Sequence, residues 1–465
     1  MKRIKRILFF VTVAFCSLTI AQTDNKGYPN DYLTKEFHTG RRAALRNLMT
    51  AKSVAVFFAS PERVRSGDVD FFYSQDPNFY YLTGFTEPNA MLLIFKEETT
   101  INGKTGNEFI FVQPKNVRQE TWTGKIMGAS EVSEKLGFKN VFLNEEFEKT
   151  EIKFDRLDKI EAIYPVDLPA ETSNEKGHLT NLVSQFKTKI ANNSARSENL
   201  NKWLSALRAI KQPEEITLLQ KAIDISCKGH IELMKAVHTG ITEYQAQAVM
   251  EYYFKEAGSE YVGYPSIIGG GENSCTLHYE KNTKKVFDNE LLLADCGAEY
   301  HGYSADVTRT MPVNGKFTEE ERVIYQLVYD AQQAAIAACK PGVAFGATHK
   351  AAVEVIKKGL LKLGLINNER DYQKYFMHGT SHYLGLEVHD VGLYGNLESG
   401  NVITVEPGIY IPAGSDCDKK WWNIGIRIED DVLITPDGHR VMSDTAPKTI
   451  EAIEKLISEK SIFKN

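Results

Sequence analysis

The chain has 465 residues, 42% hydrophobic and 25% charged, with a formal net charge of -6. That length points to two or three domains of ordinary soluble composition. With no basic surplus and no Lys/Arg-rich run in its body, it is not expected to bind nucleic acid.

Lys2, Arg3, Lys5 and Arg6 precede a mostly apolar run from Ile7 to Ile20, with small residues near Ala21. This is the pattern of a signal peptide over residues 1–21. The run is too short for a stable membrane span. An exported protein, periplasmic or secreted, is expected, and cleavage takes the formal charge from -6 to -10. Cys16 lies after Phe15 rather than after small residues, which disfavours a lipoprotein. Five cysteines remain, Cys227, Cys275, Cys296, Cys339 and Cys417. They are scattered and odd in number, so they form no disulfide scaffold. Cys275 and Cys296 lack the base-and-orienter pattern of a nucleophile.

Residues 22–36 read as a polar lead-in, and Gly40 to Met49 as a short helix with Ala44, Leu45 and Leu48 at helical spacing. Strands are predicted at Ser53–Ala59, Ala90–Phe95, Glu108–Val112 and Ile160–Tyr164, with a helix at Ala129–Leu136. This alternation predicts an α/β domain over 22–195, ending in a polar linker near 191–194. A second domain, 196–465, begins with helices. Pro213, Glu214 and Glu215 suit a helix N-terminus, and Gly240 its end. Thr242 with Gln245, and Thr318 with Glu321, are capping boxes. The stripe Val323, Ile324, Leu327, Val328, Ala331 and Ala335 is core-facing. Gly269-Gly270-Gly271 reads as a loop, without the surroundings of a phosphate-binding motif.

The stretch Leu291 to Asp306 reads as two strands joined by a turn over Glu299–Gly302. If it pivots between Tyr300 and His301, Asp295 and Asp306 stand directly opposite, with Cβ atoms about 4.5–5.5 Å apart. Two buried carboxylates at that distance require a proton or a cation between them. His378, His382 and His389 recur within a short span, and Gly379 and Thr380 favour strand or loop over helix there. Asn401–Glu406 reads as a strand that Pro407-Gly408 breaks, leaving Glu406 at its end. The β-branched run Ile424–Ile434 reads as a strand with Arg427 and Glu429 on one face.

Asp295, Asp306, His382, Glu406 and Glu429, in order and local context, resemble the metal ligands of the pita-bread metallopeptidases. The likeness is greatest to the aminopeptidase P (Xaa-Pro aminopeptidase) family. It rests on His378 to Gly392, on Gly425 to Asp431, and on Asp76 to Phe85 with Glu87-Pro88, which resembles the creatinase-type N-terminal domain. The resemblance implies an α/β (α+β) chain, a creatinase-like domain followed by a pita-bread domain. It also implies two divalent metals: Asp295 on one, Asp306 and Glu429 bridging, His382 and Glu406 completing the other. Four carboxylates and one imidazole form a hard set suited to Mn²⁺, with Zn²⁺ or Co²⁺ as alternatives. A shared water of lowered pKa would then attack the scissile carbonyl.

Further roles follow from the same resemblance. Glu406 would shuttle the proton, His278 would stabilise the oxyanion, His378 and His389 would line the pocket and bind substrate, and Arg427 would orient the carboxylates. Tyr264 would contact the metal side. The substrates would be peptides with proline in second position, whose imide nitrogen carries no N–H. A dipeptide-restricted prolidase is the alternative within this chemistry, and the insert 412–422 looks more like aminopeptidase P. A metal-free binding protein on the same fold is a third reading, at odds with five intact ligand positions. Nothing in the sequence distinguishes a monomer from a homo-oligomer.

Overall fold

The computed structural model describes residues 27, 29–169, 173–191 and 193–464. The leader expected at 1–21 lies outside them. The N-terminal part opens with helix α1 (Lys35–Leu48), strand β1 (Ser53–Phe58), a small hairpin of β2 (Val64–Ser66) and β3 (Val69–Asp70), and helix α2 (Pro77–Thr83). A long hairpin of β4 (Met91–Ile101) and β5 (Lys104–Val112) follows. Helices α3 (Val117–Thr123) and α4 (Ala129–Leu136), strands β6 (Val141–Leu143) and β7 (Lys159–Ile163), helix α5 (Leu179–Lys189) and strand β8 (Ala195–Arg196) complete it.

The six strands run β6-β5-β4-β1-β7-β8. β1 is antiparallel to β4 and parallel to β7. A strand covered on both faces reads as an unbroken apolar run, and β1 divides its side chains accordingly. Val54, Val56 and Phe58 enter one core with Phe109 and Phe186, while Ala55 and Phe57 enter the other with Tyr81 and Leu92. Helix α1 starts at Lys35, ahead of the expected Gly40, because the Thr34 hydroxyl accepts from the Phe37 N–H and caps it.

Helix α6 (Glu198–Ala209) leads to α7 (Pro213–Ala236) and α8 (Glu243–Glu256). Then come strands β9 (Tyr261–Val262), β10 (Ile267–Gly270), β11 (Leu291–Asp295), β12 (Ala298–Tyr300), β13 (Tyr303–Ser304) and β14 (Thr308–Pro312). Helices α9 (Glu319–Ala338) and α10 (Ala347–Lys362) pack on each other. Strands β15 (Val402–Val405), β16 (Gly408–Ile411), β17 (Ile424–Arg427), β18 (Asp430–Thr435) and β19 (Gly438–Val441) and helix α11 (Ile450–Ile457) end the fold. The strands form small sheets, β10-β11-β14, β13-β12-β9, β15-β18-β19 and β16-β17. Helix α9 backs β15, β16 and β17, and α7 backs β12 and β13.

Several expectations are corrected. Helix α7 ends at Ala236, and Gly240 lies beyond it. Gly269 and Gly270 belong to β10 and pair with Leu293 and Leu292 rather than forming a loop. A Cβ on Gly269 would lie 2.8 Å from the Asn273 carbonyl oxygen, so glycine here permits close approach of backbone. The run Ile424–Ile434 is two strands in two sheets, with Ile428-Glu429 as the crossing point. The hairpin after β11 turns one residue later than expected. His301 and Gly302 take φ of 50° and 85°, and Tyr300 pairs with Tyr303. Two successive positive φ values suit the twist of a tight hairpin. Asp295 therefore faces Thr308, not Asp306. The slip is two residues along the partner strand, so parity is preserved and Asp306 remains on the Asp295 face as its diagonal neighbour.

Candidate metal centre

Each acidic residue of the site sits where a strand ends or changes sheet. Asp295 closes β11. Asp306 lies just before β14, and Glu406 just after β15. Glu429 sits in the two-residue crossing between β17 and β18. Its N–H donates to the Thr308 carbonyl at 3.1 Å, which brings β14 against the crossing. The segment carrying His382 runs beside β15. The His382 N–H donates to Thr404 Oγ1 at 3.1 Å, and the Glu406 N–H to the Thr380 carbonyl at 2.9 Å. Backbone pairing thus brings residues over a hundred positions apart to one place.

Asp306, His382 and Glu429 each direct one ligand atom into a space where these atoms lie within 4.8 Å of one another. His382 Nε2 is 3.3 Å from Asp306 Oδ2 and 3.6 Å from Glu406 Oε1. Asp295 joins from the other side through Tyr264, whose hydroxyl is 2.5 Å from Asp295 Oδ1 and 2.6 Å from Asp306 Oδ1. Arg427 Nη2 donates to Asp295 Oδ2 at 2.5 Å. All five expected ligands and Tyr264 therefore adjoin one another, although Asp295 and Glu406 stand outside the tightest group.

Electrostatics follow from this crowding. Burial pushes Glu429 well above the usual carboxylate range, and Asp306, Glu406 and Asp295 push it further. Burial, aided by Asp306, raises Glu406 to about 7. Burial raises Asp295 despite Arg427. Asp306 is the exception: the His382 hydrogen bond and charge outweigh burial and hold it below its ordinary value. In return, Asp306 and Glu406 overcome burial and raise His382 to about 9. So much carboxylate in so little water is stable only with protons or cations among it. An oxygen-rich set with one imidazole fits hard or borderline divalent ions, and the residues present fit such a group.

The remaining residues surround this centre. His378 Nε2 is 2.9 Å from the Tyr410 hydroxyl, and its Nδ1 is 3.7 Å from Glu406 Oε2. His389 packs its ring edge-on against His382, centroids 4.4 Å apart, and is exposed. His278 is exposed too, in the wall of a depression of about 460 Å³ with Thr276, Tyr279, Glu280 and Lys281. Burial lowers both His378 and His389, aided by the charge of Arg427 at His378 and of His382 at His389, and His278 lies within electrostatic reach of both, which places it on the same side. Two contributors escaped sequence reasoning. Thr308 donates to Glu429 Oε2 at 2.6 Å and accepts from Arg427 Nε at 3.3 Å. Tyr410 accepts from Arg427 Nη1 at 2.8 Å and so ties it to His378. Period-2 alternation was the available signal: Thr308 is two residues from Asp306, and Tyr410 is four from Glu406.

Comparisons with known proteins agree with this arrangement. Residues 217–436 match metallopeptidase family M24, and residues 38–157 match the aminopeptidase P N-terminal domain. The chain is 34% identical to a Xaa-Pro aminopeptidase of Escherichia coli (strain K12), over 90% of this chain and 96% of that one. It is 35% identical to a Xaa-Pro aminopeptidase of Haemophilus influenzae, over 92% and 98%. Among solved structures, Pseudomonas aeruginosa aminopeptidase PepP superposes with a TM-score of 0.83 at 32% identity, covering 92% of this chain and 99% of that one. Zinc-substituted E. coli aminopeptidase P in complex with product gives 0.82 at 32% identity, covering 92% and 98%.

Proposed function

This chain belongs to metallopeptidase family M24, and from that premise we propose that it removes the N-terminal residue from peptides with proline in second position, as a metal-dependent Xaa-Pro aminopeptidase. The observation that carries the reading is the meeting of Asp306, His382 and Glu429 within 4.8 Å, with Asp295 joined through Tyr264 and Glu406 through His382. Asp295, Asp306, His382, Glu406 and Glu429 would hold two divalent cations, with Mn²⁺ the ion best matched to the oxygen-rich donors. When bound, such a pair supplies Lewis acidity and a water of lowered pKa.

The chain's own residues do the rest. Arg427 and Thr308 fix the orientation of Asp295 and Glu429, the outer support that carboxylate ligands need. Glu406, 3.6 Å from His382 Nε2 and 3.7 Å from His378 Nδ1, would take a proton from the attacking water and return it to the proline nitrogen. That nitrogen has no hydrogen before cleavage, so a proton must be delivered as it leaves. His278 and His389 offer N–H donors on the open side of the centre, where negative charge grows on the scissile oxygen, while His378, whose Nδ1–H donates to the Gly379 carbonyl at 2.6 Å, lines the pocket. Export through a signal peptide at 1–21 is part of the same proposal, supported by the basic start and apolar run. No helix among the described residues is long and apolar enough to cross a membrane.

The test is release of the first residue from Xaa-Pro-Yaa, set against Xaa-Ala-Yaa and against the dipeptide Xaa-Pro. Cleavage of the tripeptide with proline is expected. Cleavage of the dipeptide alone would replace this reading with a prolidase.

A further inference from the structure

Arg208 stands near the end of α6, where the N-terminal part meets the site-bearing part, and it is fully enclosed. Its guanidinium reaches both. Nη1 donates to Asn78 Oδ1 at 2.9 Å, in the first turn of α2. Nη2 donates to Glu387 Oε2 at 2.8 Å and to Asp390 Oδ1. Lys211 Nζ donates to the second Asp390 oxygen at 2.7 Å. Burial alone would raise Asp390, but the Lys211 and Arg208 charges outweigh it and hold the carboxyl below its ordinary value. Arg208 Nε is buried without a partner, so the guanidinium is aimed at its carboxylates at the cost of one unmade hydrogen bond.

What this clamp holds is the loop from His382 to Asp390. The Asp390 N–H donates to the Tyr383 carbonyl at 2.9 Å and closes the loop. The carboxylate lies across Gly385, where a Cβ would sit 2.0 Å from Asp390 Oδ2 and 2.8 Å from Lys211 Nζ. His382 and His389 flank the two closing residues, and their rings meet at 83°. Closing the loop therefore fixes one ring against the other.

We propose that Arg208 is a positioning residue for the peptidase reaction: from the junction of the two parts, through Asp390, it sets where the His389 imidazole stands against His382. The inference rests on the function proposed above. It gives the Asp76-Pro77-Asn78 motif a role at a distance, since Asn78 holds the other arm of the same guanidinium.

Arg208→Met and Arg208→Lys are each placed in the wild-type chain and in a His389→Ala chain, and release of the first residue from Xaa-Pro-Yaa is measured on metal-loaded enzyme. Arg208→Met is expected to lower kcat/KM on the order of tenfold, and Arg208→Lys, which keeps charge but loses the planar fork, by less. In the His389→Ala chain both losses shrink below about twofold, because the group they act through is gone. Losses that multiply unchanged in that background overturn the proposal, as does full activity of Arg208→Met. If Arg208→Met fails to fold, Arg208→Lys carries the same cycle: a loss that vanishes without His389 supports the proposal, and no loss or a multiplying one overturns it. A wild-type chain inactive on the peptide overturns the proposed function and this inference with it. An active wild type with multiplying losses overturns this inference alone.

Discussion

Thr308→Val tests the idea that the metal centre depends on groups one step removed from it. Thr308 is fully buried, and Val fills nearly the same shape, so the chief loss is the hydrogen bonding of the hydroxyl. Two hydrogen bonds are lost: the one from Oγ1 to Glu429 Oε2 at 2.6 Å, and the one Oγ1 accepts from Arg427 Nε at 3.3 Å, which joins a cation with or without metal and so cancels in the comparison. After chelation, burial and the neighbouring carboxylates disfavour the charged form of Glu429, and a bond between neutral groups contributes about 1 kcal/mol. With cations bound, Glu429 is ionised and the same bond contributes about 1.5–3 kcal/mol. The difference, roughly 0.5–2 kcal/mol, weakens metal binding by about two- to thirtyfold. The assay is titration of Mn²⁺ into chelated protein, wild type against variant, with a melting curve of each chelated form. Metal affinity within twofold of wild type in a folded variant would refute the reasoning.

Other consequences are equally specific. Metal binding at pH 7 should release protons, because His382, raised to about 9, and Glu429, raised well above its ordinary range, must give them up; calorimetry in buffers of different ionisation enthalpy reads this, and a buffer-independent heat would contradict it. Gly297→Ala would put a Cβ 1.8 Å from the Ala305 carbonyl oxygen, between the segments that carry Asp295 and Asp306. No rotamer relieves a backbone clash, so the variant should lose about 1–3 kcal/mol or more and most of its stabilisation by metal, seen as a collapsed melting shift. His38 and His230 are buried, and burial lowers them to about 4 and about 3. The unfolded chain then binds protons that the folded chain refuses, so stability present above pH 6.5 is lost as pH falls toward 4. Chelated protein should lose about 2 kcal/mol for each between pH 7.5 and 5.0. Denaturant unfolding of His38→Gln should show a smaller loss, and an unchanged pH slope would contradict the assignment.

The sequence carried the chemistry of the site further than its geometry. Asp295, Glu406 and the capping boxes of α8 and α9 were legible because strand ends and helix starts have local chemical signatures. The hairpin register was not. A positive φ at His301 depends on contacts distant in sequence, the Glu260 carboxylate accepting from its N–H at 2.9 Å and the Tyr32 ring stacked on its imidazole. The split of Ile424–Ile434 was hidden for a similar reason. A continuous β-branched run looks the same whether it feeds one sheet or two, and the crossing at Glu429 is set by the Thr308 carbonyl on β14. Arg208 and Asp390 carry no local sign of a partnership, because only the fold brings them together.

The most direct measurement is activity regained by chelated protein on Xaa-Pro-Yaa as a divalent ion is titrated back. Release of the first residue should start at zero and level off at two ions per chain, with Xaa-Ala-Yaa left uncut. Activity that survives chelation, or saturates without any bound ion, would contradict the account.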